Sequence, residues 1–326
     1  MASNRLSWMN SWDRAADTFQ THDAPAYARL ARAFADEPEA GVPESPLVVL
    51  AALRLAAFEG RATDPFVGDV EATRADALRL ADEISEAVAT GLVQYTDPLR
   101  LGDIVPGLCL TSQWYPGRPL RIVDLGTSAG MLLLASDISI RFSNAAWTPQ
   151  GSLEAVDYPM AVPRDLLATP VPIESAVGID LRPLDARDPR TPRLLHSYQW
   201  PGPAQREERL DLGIRVASRR PPHLIAGDVL EVAPDVIREC LSREAVTVVI
   251  DSAFSHYLPV HAQVQLGRIL DMLRGLGPLV MVGRGPQTAA NRARSTIRAI
   301  DMTGQRRMVY AETDLLSESP AWVASP

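Results

Sequence analysis

The chain has 326 residues, 46% of them hydrophobic and 22% charged, with a formal net charge of −8 and a pI near 5.2. A chain of this length and texture buries a full core without metals or disulfides, and its acidic balance argues against the cationic surface that nucleic-acid binding runs on. Its 32 basic residues are all arginine, which excludes a Schiff-base lysine, a pyridoxal phosphate anchor and the P-loop lysine.

The first 118 residues read as helical, a domain expected to cap a substrate pocket. Ala24 to Ala35 places apolar residues at helical spacing. Pro46 opens the apolar run Leu47 to Phe58, where a proline in the first turn is tolerated. Ala72 to Thr90 reads as one amphipathic helix, with Gly91 in the C-cap position. Leu99 to Leu110 reads as a last helix, broken at Pro106. The N-terminus lacks a signal-peptide pattern, because Trp8, Asn10, Trp12 and Asp13 interrupt it.

The texture changes at the turn cluster Pro116 to Pro119. A short run, Leu120 to Leu125, follows and leads into a glycine turn. Further short apolar runs are Ala176 to Ile179, His223 to Ala226, Val246 to Ile250 and Leu279 to Val282. Helical stretches separate them: Pro203 to Arg219, Val232 to Leu241 and Val260 to Leu276. Strands alternating with helices predict an α/β fold, a Rossmann-like, doubly wound and mostly parallel sheet, over residues 119–326. Residues 141–173 interrupt the alternation and read as an insertion, a lid or an added hairpin.

Asp124-Leu-Gly-Thr-Ser-Ala-Gly130 carries the first chemistry. A buried strand ends on an acid, the chain turns at Gly126, and a helix is expected to begin near Ala129. Gly126 suits a positive φ or a close ligand approach, and Gly130 suits close packing of helix on strand. Free amides at a helix N-terminus attract a carboxylate, and Asp124 complements an ammonium group. Together they match the zwitterionic tail of S-adenosylmethionine (SAM). The same letters spell G-x-S-x-G, the nucleophile elbow of a serine hydrolase with Ser128 as nucleophile. Against that alternative, helices rather than strands precede the turn and no HGGG-type loop is present. A dinucleotide fingerprint would want a glycine at Ser128.

Later strand ends repeat the acid. Asp180, followed by Leu181, suits a ribose diol. Gly227, Asp228 and Val229 suit an adenine, while Asp251 and Ser252 end the fourth strand. With Thr127 and Ser128, these form the expected cofactor site. Asp251, His256 and Tyr257 are the candidate catalytic groups. Tyr95, Asp97, Arg100, Trp114 and Tyr115 are candidate substrate contacts. Arg284, Arg292, Arg294 and Arg298 read as a solvated helix face or, alternatively, as an anion patch. Cys109 and Cys240 lack metal-ligand spacing, and no metal is expected.

The chain resembles an uncharacterised actinobacterial family with a methyltransferase-like domain behind a helical N-terminal region. Asp124 to Gly130, Gly178 to Asp185, Trp200-Pro201 and Gly227-Asp228 carry the resemblance. The chain departs from that pattern at Thr96-Asp97, at Asp251, and at the lack of a His-Gly pair around Leu315 to Pro320. The resemblance implies the class I SAM-methyltransferase fold and brings no established reaction. The expected function is SAM-dependent transfer to a small polar or amino-acid-like molecule. An alternative is chemistry at another SAM carbon, cyclisation or aminocarboxypropyl transfer, releasing methylthioadenosine. Residue usage and the lack of a long apolar run lead to the expectation of a cytoplasmic protein with a small-molecule partner, no nucleic acid and no membrane.

Overall fold

A computed structural model describes residues 12–21, 25–36, 42, 45–66, 69–90, 93–199, 204–286, 294–304, 306–314 and 320–323. Gly91, Trp200-Pro201, Pro203, Arg292 and 315–319, all singled out from the sequence, lie outside them. The chain forms two compact units, 1–96 with 188–211 and 97–187 with 212–326. The first division falls at 96/97 rather than 118, and the last predicted helix packs on the sheet of its own unit.

The first unit holds α1 (Trp12–Thr21), α2 (Pro25–Asp36), α3 (Pro46–Phe58), α4 (Val70–Arg79) and α5 (Ala81–Thr90). The single helix expected over 72–90 is two, parted at Leu80. Trp12 stacks on Phe34 with ring centroids 4.5 Å apart, joining α1 to α2. The buried Arg54 on α3 binds Glu207 at 2.7 Å and lies 3.5 Å from the Phe66 ring centroid. Its guanidinium also reaches the carbonyls of His196 and Gln199, the last turn of the later helix α8 (Thr191–Ser197). A cation there satisfies orphan carbonyls at a helix end.

The second unit begins with a 3₁₀ turn, Pro98–Arg100, and α6 (Leu101–Trp114). Pro106 removes an amide donor without stopping α6. The helix runs on because it is buried all round, from Leu101 to Ser112. β1 (Leu120–Leu125) follows, then a small separate sheet of β2 (Ile138–Phe142), β3 (Ala146–Trp147) and β4 (Glu154–Tyr158), and α7 (Arg164–Leu167). The insertion is thus a three-stranded sheet. The main sheet resumes with β5 (Ile173–Asp180). The chain then runs through α8 and the start of α9 (Ala204–Arg219), residues that belong to the first unit, and returns to the second with the rest of α9, β6 (His223–Ala226), α10 (Val229–Cys240), β7 (Val246–Ser252), α11 (Val260–Leu273) and β8 (Leu279–Pro286). β9 (Arg294–Asp301), β10 (Arg306–Asp314) and β11 (Ala321–Trp322) complete it as an antiparallel meander that the sequence reading had not placed.

The sheet order is β11-β10-β9-β8-β7-β1-β5-β6, and the five strands from β6 to β8 are parallel. This is the α/β doubly wound arrangement. The chain steps one way from β1 to β5 and β6, then returns to β7 and β8, leaving a switch point between the tips of β1 and β7. α10 and α11 cover one face through Val123, Val177, Val249, Ile237 and Leu270. α6 covers the other, and Gly107 lets it approach so closely that a Cβ there would lie 2.4 Å from Val282.

One buried polar cluster ties α6, the insertion and the sheet together. Arg284 of β8 binds the Asp103 carboxylate at 2.8 Å, and both are buried. The Tyr158 hydroxyl of β4 donates to the same carboxylate, and the Tyr310 hydroxyl of β10 donates to the Asp103 carbonyl at 2.5 Å. Arg284 is therefore a strand residue in a buried ion pair, not part of a solvated helix face. Removing one partner of such a pair strands the other charge. Asp103→Asn is expected to lower unfolding stability by about 3–5 kcal/mol, read from the midpoint of urea denaturation at unchanged slope.

Candidate functional site

The tips of β1, β5 and β7 carry Asp124, Asp180 and Asp251. Asp124 stands beside Gly178 and Ile250 in the parallel ladder and is buried. Its Oδ2 accepts the Thr127 hydroxyl at 2.6 Å. Thr127 folds back over β5 because Gly178 has no side chain, and a Cβ there would lie 2.5 Å from the threonine. Burial pushes the Asp124 carboxyl up to about 7. The Thr127 hydrogen bond opposes the shift, the negative charges of Asp251 and Asp180 add to it, and Arg100 opposes it. A desolvated carboxylate of this kind favours a neighbouring cation.

The glycine loop departs from expectation. It leads into a six-residue 3₁₀ segment, Met131–Ser136, with no α-helix after it, so a full helix N-terminus is absent from this turn. The Gly126 and Thr127 amides both donate to the Ile179 carbonyl, at 2.8 and 3.1 Å. The Ser128 amide donates to Asp180 Oδ2 at 2.8 Å. Asp180 Oδ1 accepts the Arg182 amide, so this acid, expected on a ribose diol, braces the glycine loop with both oxygens engaged. Gly126 has φ +68°, and the Phe254 ring fills the space where a Cβ would project, 2.2 Å away. Gly130 packs against Pro222 and Leu224, the approach to β6, and not against β1.

The remaining expected residues divide. Asp228 caps α10 by accepting the Leu230 amide at 2.8 Å, Val229 is buried in that first turn, and Leu181 is exposed. The Gly227 amide donates to the Asp180 carbonyl at 2.9 Å. Asp251 Oδ1 accepts the Ser255 amide at 3.0 Å and shapes the turn Phe254–Tyr257. Ala253 opens that turn at φ +69°, and Ser128 has φ +53°. Two non-glycine residues thus hold left-handed backbone at neighbouring strand tips, a kind of strain that clusters at functional sites. Burial pushes the Tyr257 phenol up, with Arg100 opposing. The Ser252 hydroxyl is buried without a hydrogen-bond partner among the described residues.

Among the substrate candidates, Arg100 reaches the tips, donating from Nη1 to the Ser252 carbonyl at 2.9 Å. Asp97 caps the 3₁₀ turn that presents Arg100, accepting the Leu99 amide at 2.8 Å. Tyr95 belongs to the helical unit. Trp114 and Tyr115 lie at the wrong edge. α6 carries the chain from Arg100 at the carboxyl ends to the opposite end of the sheet. There the Tyr115 hydroxyl binds Asp301 at 2.9 Å, opposite the start of β8. No group of three or more His, Cys, Asp or Glu is placed to hold a metal ion among the described residues, and no helix among them is long and apolar enough to cross a membrane.

The sequence reading missed Phe254, Asp103 and the placement of Arg298. The alternation in Arg294 to Asp301 was the available signal for the last.

The doubly wound sheet with acids at its tips defines the class, an α/β protein with its candidate site at the switch point. The chain belongs to the family described as uncharacterized protein conserved in bacteria (DUF2332), which it matches over residues 10–322. No match to the curated proteins is found. Among solved structures, similarity is found to the bifunctional kinase-methyltransferase WbdD, at 16% identity and a TM-score of 0.27, over 56% of this chain and 28% of that one. The sugar N-methyltransferase KedS8 from Streptoalloteichus sp ATCC 53650 is matched at 9% identity and a TM-score of 0.24, over 65% of this chain and 63% of that one.

Because the carboxyl of Asp124 is raised on folding, the stability it contributes is full below pH 4 and is lost as pH rises through about 7. Asp124→Asn should therefore raise stability of the ligand-free protein at pH 8 by roughly 2–4 kcal/mol and change it little at pH 4, measured by urea denaturation at both.

Proposed function

We propose that the protein is a SAM-dependent transferase of the methyltransferase type acting on a small polar molecule. The observation that carries this reading is the buried Asp124 carboxylate at the switch point, with Arg100 close enough to lower its pKa. Asp124 is the counter-charge for the ligand's ammonium and sulfonium end. Arg100 takes the ligand's carboxylate, a part that the loop amides cannot play while Ile179 and Asp180 occupy them. The orphaned Ser252 hydroxyl supplies one more polar contact. The Phe254 ring packs against Gly126.

Bound there, SAM would supply an electrophilic methyl carbon, and the protein's part is orientation and exclusion of water. Asp251 and the turn it braces, with His256 and Tyr257, stand on the acceptor side. Asp251 is the group to take a proton if the acceptor must lose one. Tyr257, its phenol raised by burial, stays protonated near neutral pH and donates.

Calorimetric titration with SAM and S-adenosylhomocysteine tests the reading. Asp124→Asn is expected to weaken binding about 100-fold and Arg100→Gln at least tenfold. Since the free carboxyl titrates near 7, wild-type affinity should fall about tenfold per pH unit below that value and level off above it. Absence of heat with both ligands on the wild-type protein sinks the proposal. Methylthioadenosine as the sole nucleoside product would move the reaction to another SAM carbon.

A further inference from the structure

Half-buried Arg298 stands apart from the buried arginines Arg54 and Arg284. Asp251, Gly283 and Arg298 form one row across β7, β8 and β9. With strands about 4.8 Å apart, Arg298 lies about 10 Å from Asp251 along the row. Its guanidinium is seated over Gly285, where a Cβ would lie 2.6 Å from Nη2 and 3.0 Å from Cζ. A side chain at 285 would evict it. Gly283 has a matching role, since a Cβ there would meet the Asp251 carbonyl at 2.0 Å and hold the tips of β7 and β8 apart.

The charge around Arg298 is unbalanced. Arg298 pairs with Val309, so Arg307, two residues away on β10, is its diagonal neighbour on the same sheet face. Burial lowers the Arg298 pKa, Arg307 lowers it further, and Asp251 alone opposes. No side-chain hydrogen bond or ion pair joins the Arg298 guanidinium to any described residue. Arg54 and Arg284, by contrast, each bind a carboxylate at 2.7 and 2.8 Å. A half-buried guanidinium with a second one as its diagonal neighbour, and with no paired carboxylate among the described residues, is costly without an anion. Its planar donor fork suits a carboxylate or phosphate.

We propose that Arg298, seated on Gly285 and assisted by Arg307, is an oxyanion subsite that anchors a carboxylate or phosphate group of the acceptor substrate beside Asp251. The site itself stands on the geometry of β7 to β10, and its assignment to the acceptor rests on the transferase reading. The acceptor is then an anionic small molecule, and uncharged analogues are poor substrates.

The test uses the full chain without cofactor. Inorganic phosphate and, separately, succinate are titrated at constant ionic strength against sodium chloride, following the guanidinium Nε resonances of ¹⁵N-arginine-labelled protein. Saturable binding that Arg298→Gln weakens at least tenfold is expected, and the more tightly bound anion identifies the oxyanion. Gly285→Val keeps the charge but displaces the guanidinium, and should weaken binding in the same way. Arg307→Gln should weaken it less. Each variant's melting curve in sodium chloride establishes that it is folded. Saturable binding unchanged in both Arg298→Gln and Gly285→Val, or no saturable binding of either anion to the wild-type protein, overturns the proposal. SAM calorimetry on Arg298→Gln should match the wild type, so failure of the anion site and failure of the cofactor reading are separate results.

Discussion

The site is organised around one electrostatic constraint, the carboxylate of Asp124 held out of water at the end of a central strand. Its hydroxyl partner, Thr127, is in place only because Gly178 leaves room for it. Two further acids on adjacent tips raise the cost of ionising it, and one arginine lowers that cost. A buried acid so poised costs the ligand-free fold stability, and natural proteins keep such groups where function requires them.

The rest of the second unit serves that arrangement. Parallel strands bring Asp124, Asp180 and Asp251 to the same end of the sheet. Asp180 spends both oxygens on the Ser128 and Arg182 amides, so it fixes the loop's shape and contributes less open charge than its position suggests. α6 delivers Arg100 at one end and buries its own length against β8 and β9. The Asp103–Arg284 pair, in the first turn of α6, and the Tyr158 hydrogen bond to the same carboxylate tie that helix and the inserted sheet to β8, just after the 3₁₀ turn that presents Arg100.

The cationic side of the sheet gives the arrangement its second pole. Arginines that share the sequence neighbourhood of β8 and β9 have different fates. Arg284 points toward α6 and is neutralised by Asp103, whereas Arg298 lies over Gly285 beside Arg307. Strand alternation is the cause, since residues of opposite parity on neighbouring strands meet opposite faces.

Much of the fold was legible in the sequence. Short apolar runs separated by amphipathic stretches marked the parallel strands, and His223 to Ala226 and the start of β7 fall where those runs placed them. The acids at strand tips were legible for the same reason, because a strand that ends on an acid after an apolar run has one way to present it. What the sequence could not decide were contacts between distant segments. It did not distinguish an amide free for a ligand from one donating to Ile179, nor separate Arg100 from Tyr115, fifteen residues on yet at the opposite end of the sheet. It also left open which arginines find a carboxylate. Local periodicity is written in neighbouring residues, while the partner of each buried polar group is chosen by the three-dimensional packing of segments far apart in the chain.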